Sequence, residues 1–311
     1  MMAGLVEAEL APEADRQLPV GDEIYLDHVG HFVRDREAAS RALARVGFAP
    51  TPVSIQYNLD GTKMGTGNIT AMLTRGYIEV LFKEADTPLG QEFEATLAGH
   101  AGVHLANFVV VDAARAHQRL TDLGFAMRPL VQFQRPVDTV AGTGTAAFTV
   151  VRLERGAMPE GRIQILTHRT EDTVWQKRWL THPNGALALI DLVIASPDVA
   201  EATARFERLL GRQARSTQFG QATFELDRGQ LQLVSEAAFT GMFPEIPVPR
   251  LPFIGAYAVR IQSLAALEHL MKKAALPFRR VGSALIVPFP EELGVGAWVF
   301  VENGASLPWR S

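Results

Sequence analysis

The sequence predicts an α+β fold in which four βαβββ units pair to form two half-open barrels. Three observations support this prediction. A short apolar strand, a turn, an amphipathic helix and further strands recur four times along the chain. The first two helices end in similar segments, Val-Gly-Phe-Ala at 46–49 and Leu-Gly-Phe-Ala at 123–126. The 311 residues, 47% of them hydrophobic, suffice for two cores of ordinary domain size.

The first two units set the pattern. The first opens with a strand at 25–33, continues with a helix whose predicted N-cap is Asp35, and stops at Gly47 and Phe48. Its closing strands are predicted at 69–73 and 77–82. The second unit repeats this order, with a strand, a helix and two closing strands at 103–111, 113–123, 146–153 and 162–166.

The third and fourth units are more diverged. The third begins with a strand at 187–195 and a helix capped by Pro197-Asp198, and the fourth with a strand at 254–261. One such unit cannot bury its own sheet, so the units are expected to pair. The predicted division is an extension at 1–21, a first domain at 22–182 and a second, degenerate domain at 186–303. A turn signal, His182-Pro183-Asn184-Gly185, marks the join.

Composition excludes several classes of function. The net charge is -4 and the basic residues form no run, so nucleic acid and anionic membranes are not expected partners. Without cysteine the chain has no disulfides and no thiolate metal site. The N-terminus lacks the basic and apolar segments of a signal peptide, and no apolar run reaches the ~18 residues of a membrane span. We therefore expect a cytoplasmic protein that binds a small-molecule substrate, with a homodimer left open.

Four metal-capable side chains lie at matching places in the first two units. His28 and His104 lie near the start of the opening strands, and Glu79 and Gln164 lie in the closing strands. Glu79 stands alone in an apolar run, where a carboxylate is costly to bury unless a cation compensates it. Imidazole nitrogens and carboxylate or amide oxygens are common ligands of divalent metals. A single strand histidine is more often a core residue, so the prediction depends on the fourfold match.

At these residues the sequence resembles the vicinal oxygen chelate superfamily, which includes glyoxalases, bleomycin-resistance proteins and extradiol dioxygenases. The resemblance rests on the opening segment 26–29 with Asp35, on Gly65-Thr66-Gly67-Asn68, and on the closing segment 77–81. It implies the glyoxalase/dihydroxybiphenyl dioxygenase-like fold and a glyoxalase-like domain at 24–182. Carried over by position, the ligands of a divalent metal ion (Zn, Ni, Co, Mn or Fe) would be His28, Glu79, His104 and Gln164.

Three functions agree with this pattern. The first is a metal-dependent lyase or isomerase of the glyoxalase type, in which the metal acts as a Lewis acid on vicinal oxygens and Glu79 moves a proton. The second is an extradiol-type dioxygenase that holds Fe(II) with two histidines and one carboxylate. The third is a binding protein without catalysis, in which His28 and Glu79 bond to each other.

The second barrel is expected to play a packing or lid role. Its positions equivalent to the four candidate ligands are Asp191, Gln232, Gly255 and Val299, and the last two offer no ligand side chain. The functional cavity is therefore predicted in the first barrel. His31, on the opposite face of the opening strand from His28, is expected to pack beneath the helix of its own unit.

Overall fold

The computed structural model describes residues 16–216 and 220–309, and its first sheet closes into a barrel. The spatial order of the strands is β1-β4-β3-β2-β6-β7-β8-β5. Pairing of Tyr57 with Gln134, and of Asn58 with Phe133, closes the ring between β2 and β6. The eight strands are β1 (Tyr25–Phe32), β2 (Ser54–Asn58), β3 (Lys63–Met72), β4 (Tyr77–Lys83), β5 (Gly102–Val109), β6 (Val131–Thr139), β7 (Gly142–Arg152) and β8 (Arg162–His168).

The second sheet has the same succession of strands but, over the described residues, stays open. Its order is β10-β11-β12-β9-β13-β16-β15-β14, and its edge strands β10 and β14 are only two and three residues long. The strands are β9 (Ala186–Ser196), β10 (Arg215–Ser216), β11 (Ala222–Glu225), β12 (Gln230–Ser235), β13 (Phe253–Ile261), β14 (Arg279–Val281), β15 (Ala284–Pro288) and β16 (Ala297–Val301).

Each unit carries a helix after its opening strand, as predicted. The side chains of Asp35 and Asp198 accept bonds from backbone N–H groups at the starts of α1 and α5, which confirms both as N-caps. Short 3-10 helices occupy Lys177–Trp179, Glu291–Leu293 and Gly304–Ser306. The α-helices are α1 (Arg36–Arg45), α2 (Pro88–Leu97), α3 (Ala113–Asp122), α4 (Glu171–Val174), α5 (Val199–Leu210), α6 (Glu236–Met242) and α7 (Leu264–Lys273).

The two sheets share one hydrophobic cluster. Leu43, Leu120, Phe206 and Leu267, one from each of α1, α3, α5 and α7, all belong to it. The end of the predicted N-terminal extension lies against the first barrel, where the Gln17 side chain donates a hydrogen bond to the backbone oxygen of Thr74, in the turn after β3. Residues 1–15 of that extension lie outside the described part.

No helix within the described residues combines the length and the apolar character that a membrane crossing requires.

His31 couples the two barrels, which corrects the expectation that it packs under its own helix. Its Nδ1 donates to the backbone oxygen of Leu293 at 2.9 Å, and its Nε2 lies 2.8 Å from the Tyr257 hydroxyl. Trp298 donates to the same hydroxyl. Because Nδ1 carries the hydrogen, Nε2 is free to accept a hydrogen bond from the Tyr257 hydroxyl. The arrangement therefore needs a neutral imidazole, and burial lowers the pKa of His31 to about 4.

We expect this neutral histidine to make folding sensitive to acid. Between the unfolded pKa of 6.5 and the folded pKa of about 4, the unfolded chain binds a proton that the folded chain does not. The free energy of unfolding should therefore fall as the pH drops through this window, by about 3 kcal/mol from this group. Urea unfolding from pH 7.5 to 4 should give a shallower pH dependence for His31→Gln than for the wild type. Equal slopes would contradict this assignment.

Candidate active site

The interior of the first barrel is a cavity lined by polar side chains. Because side chains alternate across a strand, every second residue of each strand faces inward. Three of the four predicted ligands, His28, Glu79 and Gln164, lie in this lining. The other lining residues that can carry charge or hydrogen bonds are Gln56, Asn68, Tyr77, Asn107, Arg135, Arg152 and Arg162.

His28 is held in a fixed orientation. Its Nδ1 donates to Asp27 at 2.6 Å, and its ring stacks on Tyr77 with ring centres 4.1 Å apart. The second ring nitrogen, Nε2, lies 2.7 Å from the amide nitrogen of Asn107 and 3.5 Å from a carboxylate oxygen of Glu79. Burial alone would lower the pKa of His28, but the hydrogen bonds and charges of Asp27 and Glu79 raise it. The imidazole thus lies between two carboxylates, with Nε2 toward the cavity.

Glu79 is the carboxylate that the sequence marks as unusual, and it is 6% exposed. Its Oε1 accepts a 2.5 Å hydrogen bond from the Asn68 amide. Burial alone would raise the pKa of Glu79. The hydrogen bond and charge of His28, together with Asn68 and the Arg135 charge, lower it below its ordinary value. Glu79 is therefore an ionised group in a buried site.

Asp27 lies behind His28 and fixes its tautomer. The carboxylate is fully buried and also bonds His168, whose Nε2 lies 3.1 Å from Oδ1. Burial would raise the pKa of Asp27, but His168 and His28 hold it well below its usual range. A carboxylate on the far nitrogen of an imidazole is the usual outer partner of a metal-ligating histidine.

His104 does not reach this cavity, which corrects its predicted place in the ligand set. Its Nε2 bonds the backbone oxygen of His100 at 2.9 Å, and its ring packs against His100 and Phe32. It lines a separate, outer cavity. Burial lowers its pKa to about 3, so it is neutral at physiological pH. The two predicted histidines therefore do not converge.

The reason is a one-residue error in matching the units. The N-caps of α1 and α3 are 77 positions apart, and this spacing matches His28 with Leu105 and Asp27 with His104. Where β1 pairs with β5, the register skips Asp27 on one strand and His104 on the other, so both occupy β-bulges. A shift of one residue moves a side chain to the other face of a strand, which is what separates His104 from His28.

Asn107 takes the inward position that the prediction gave to His104. It pairs directly with His28 across β1 and β5. The match of Glu79 with Gln164 agrees with the strand registers, since Gly30 pairs with Glu79 and Asn107 with Gln164. Counting from the helix caps matches Asn107 with Gly30 and His104 with Asp27, so it would have removed His104 from the set, but only the bulged register pairs Asn107 with His28.

The side chains that now make up the candidate set, His28, Glu79, Asn107 and Gln164, are of the types that bind an oxygen-preferring divalent ion. Within the described residues no group of three or more His, Asp or Glu side chains is arranged to hold a metal. Nevertheless, the Asn68 and Asn107 amide oxygens are buried without a hydrogen-bond partner. Ligands ~2.1 Å from one ion are separated by about 3.0–3.4 Å, close to the 3.5 Å between His28 Nε2 and Glu79 Oε2. Carboxylate and amide oxygens suit Mn(II) or Mg(II) more than zinc.

Among its described residues, the second barrel has no equivalent arrangement of side chains. Gln232 donates to Asp191 at 3.1 Å, and Trp309 donates to the same carboxylate at 2.9 Å. A side chain at Gly255 would meet the Phe239 ring, which already fills that space from α6. The interior is a hydrophobic cluster, in agreement with the predicted asymmetry between the barrels.

Comparison with known proteins places the fold within one family. The glyoxalase-like domain family matches residues 26–210, more than half of the chain. The chain belongs to this family. A search of curated proteins found no match.

Solved structures support the same superfamily fold. A hypothetical protein from Staphylococcus aureus aligns with a TM-score of 0.60 at 11% identity, over 89% of this chain and 98% of that one. A mutant 4-hydroxymandelate synthase from Streptomyces coelicolor aligns with a TM-score of 0.57 at 11% identity, over 89% and 92%. The Mn(II)-bound glyoxalase from Novosphingobium aromaticivorans aligns with a TM-score of 0.52 at 12% identity, over 91% and 83%. At these identities the likeness concerns the fold, and it confirms the predicted pairing of βαβββ modules.

Proposed function

We propose that this chain is a metal-dependent enzyme of the lyase or isomerase type that acts on a small substrate with vicinal oxygens. The observation that carries the proposal is the buried, ionised Glu79 beside His28 Nε2, with Asp27 on the other ring nitrogen. His28 and Glu79 would hold the metal, with the amide oxygens of Asn107 and Gln164 completing the set. A divalent ion bound there would supply Lewis-acid polarisation of a substrate oxygen.

The residues of the chain have separate roles in this proposal. Glu79 accepts the proton from the carbon next to the polarised oxygen, for which its lowered pKa keeps it in the basic form. Asp27 and Tyr77 keep the imidazole of His28 in one orientation. Asn68 holds one oxygen of Glu79, so that the other faces His28 and the cavity.

The second candidate is a non-catalytic small-molecule binding protein. It is favoured by the direct contact between His28 and Glu79 and by the lack of a three-residue His, Asp or Glu cluster in the described part of the chain. The extradiol dioxygenase alternative is weakened, because His104 is not available as a second imidazole ligand.

Metal analysis and proton exchange test the proposal together. The protein, purified without chelators, is analysed for Mn, Fe, Co, Ni and Zn. It is then incubated in D₂O with 2-oxoaldehydes and 2-hydroxyketones. We expect close to one divalent ion per chain and deuterium at the carbon next to a carbonyl, detected by NMR. A protein with no bound metal and no deuterium exchange would support the binding-protein alternative. Ring opening of catechols with Fe(II) in air would support the dioxygenase.

A further inference from the structure

An outer cavity of about 320 Å³ adjoins the interior of the first barrel. It lies between α2, the segment that joins β7 to β8, and Arg250 of the second domain. Its volume is in the range of small-molecule sites. Arg152, Arg162 and Gln164 line both the outer cavity and the barrel interior, so they form the throat between the two.

The two throat arginines lack the partners that arginines in partly buried places usually have. Among the described residues, neither guanidinium makes a hydrogen bond or ion pair, and the Nε of Arg152 is buried without a partner. The Arg162 guanidinium lies over the face of Phe32, 5.0 Å from the ring centre. By contrast, Arg128 in the same cavity wall is bound by Glu92 at 2.9 Å.

The electrostatics of the throat favour an anion. Both guanidinium groups carry a positive charge at neutral pH, because arginine is not deprotonated in proteins. A buried charge without a counter-charge destabilises a protein, and a bound anion would remove that cost.

We propose that Arg152 and Arg162 bind the anionic group of the substrate, a carboxylate or a phosphate, at the throat between the two cavities. Guanidinium groups recognise the paired oxygens of such anions through two parallel hydrogen bonds. The reacting oxygens then extend inward to Glu79, and the rest of the molecule occupies the outer cavity. This inference rests on the proposed function for the inward part of the molecule, and it adds the substrate class: a small organic anion.

Calorimetric titration with three probes tests the site: 2-oxobutanoate, its methyl ester and inorganic phosphate. We expect at least one anion to bind, and the ester to bind at least ~10-fold more weakly than the acid. Arg152→Gln and Arg162→Gln should each weaken binding of the anion ~10–100-fold, as expected for charge-assisted hydrogen bonds. Arg41→Gln, on the exposed face of α1 and outside the lining of both cavities, is the control and should bind like the wild type.

Three results would overturn the inference: wild-type protein that binds neither anion at millimolar concentration, ester and acid that bind equally, or Arg41→Gln that weakens binding as much as the throat variants. If a glutamine variant does not fold, Arg152→Lys and Arg162→Lys keep the charge and should still weaken binding several-fold, because the fork of donors is lost. Preference for 2-oxobutanoate over phosphate, or the reverse, identifies the anion.

Metal content, measured on the same samples, separates this inference from the proposed function. Loss of anion binding in variants that keep their metal supports both. If the wild-type protein contains no metal but still binds the anion through Arg152 and Arg162, the proposed function is rejected and the anion site is retained. A metal-containing protein whose anion binding ignores both arginines removes the anion site alone.

Discussion

Replacing Glu79 with glutamine is expected to lower the affinity of the first barrel for Mn(II) at least ~100-fold, since the only anionic ligand of the set is lost, which should exceed the 10–100-fold effect of losing an outer partner. Glutamine has nearly the same shape, so packing around the side chain should persist. What disappears is the one carboxylate that faces the cavity next to His28 Nε2. Isothermal titration of metal-free protein with Mn(II) measures the change.

The matched control for this prediction is His104→Gln. Because His104 bonds the backbone of His100 and lies outside the barrel interior, its replacement should leave Mn(II) affinity within about two-fold of the wild type. Should Glu79→Gln bind Mn(II) as tightly as the wild type, or should His104→Gln lose it, the corrected ligand set would be wrong. If Glu79→Gln keeps the wild-type affinity for Mn(II), the binding-protein alternative would be preferred.

Replacing Arg205 with methionine is expected to destabilise the protein by about 3–5 kcal/mol, the usual cost of removing one partner of a buried ion pair. Arg205 of α5 donates to both carboxylate oxygens of Glu160, at 2.7 and 2.8 Å, and the pair is almost fully buried. Without the arginine, Glu160 keeps a buried charge that no other group compensates as closely. The pair joins the segment before β8 to the second domain. We therefore expect the loss of stability to be visible in the main unfolding transition.

Two further variants separate the charge effect from the loss of packing. Glu201 also bonds Arg205, but its side chain is 56% exposed, so Glu201→Gln should cost no more than about 1 kcal/mol. In the double variant Arg205→Met/Glu160→Gln the uncompensated charge is gone, and part of the stability should return. Urea unfolding of the four proteins gives the comparison. An Arg205→Met protein within about 1 kcal/mol of the wild type would contradict the assigned role of this pair.

The fold could be predicted because its signals are local and repeated. Asp35 and Asp198 are N-caps directly readable from sequence, and each precedes an amphipathic helix. Glu79 could be recognised for a similar reason, as a charge in an apolar strand. These features depend on short-range backbone chemistry, so an error of one or two residues does not change the conclusion.

The complete site could not be predicted, because it depends on strand register. The bulges at Asp27 and His104 reverse which residues face inward, and a bulge has no reliable signature in a single sequence. Asn107 was missed for this reason, and the throat arginines were missed because surface arginines look the same in sequence. Only the assembled barrel shows that Arg152 and Arg162 line both cavities and that their guanidinium groups have no hydrogen-bond partner among the described residues.

The most direct test of the account is a crystal structure of the protein soaked in Mn(II), with anomalous diffraction used to locate the ion. We expect one principal anomalous peak inside the first barrel, within bonding distance of His28 Nε2 and a Glu79 carboxylate oxygen. A principal peak beside His104 and His100, a peak between Asp191 and Gln232 in the second barrel, or no peak at saturating Mn(II) would contradict it.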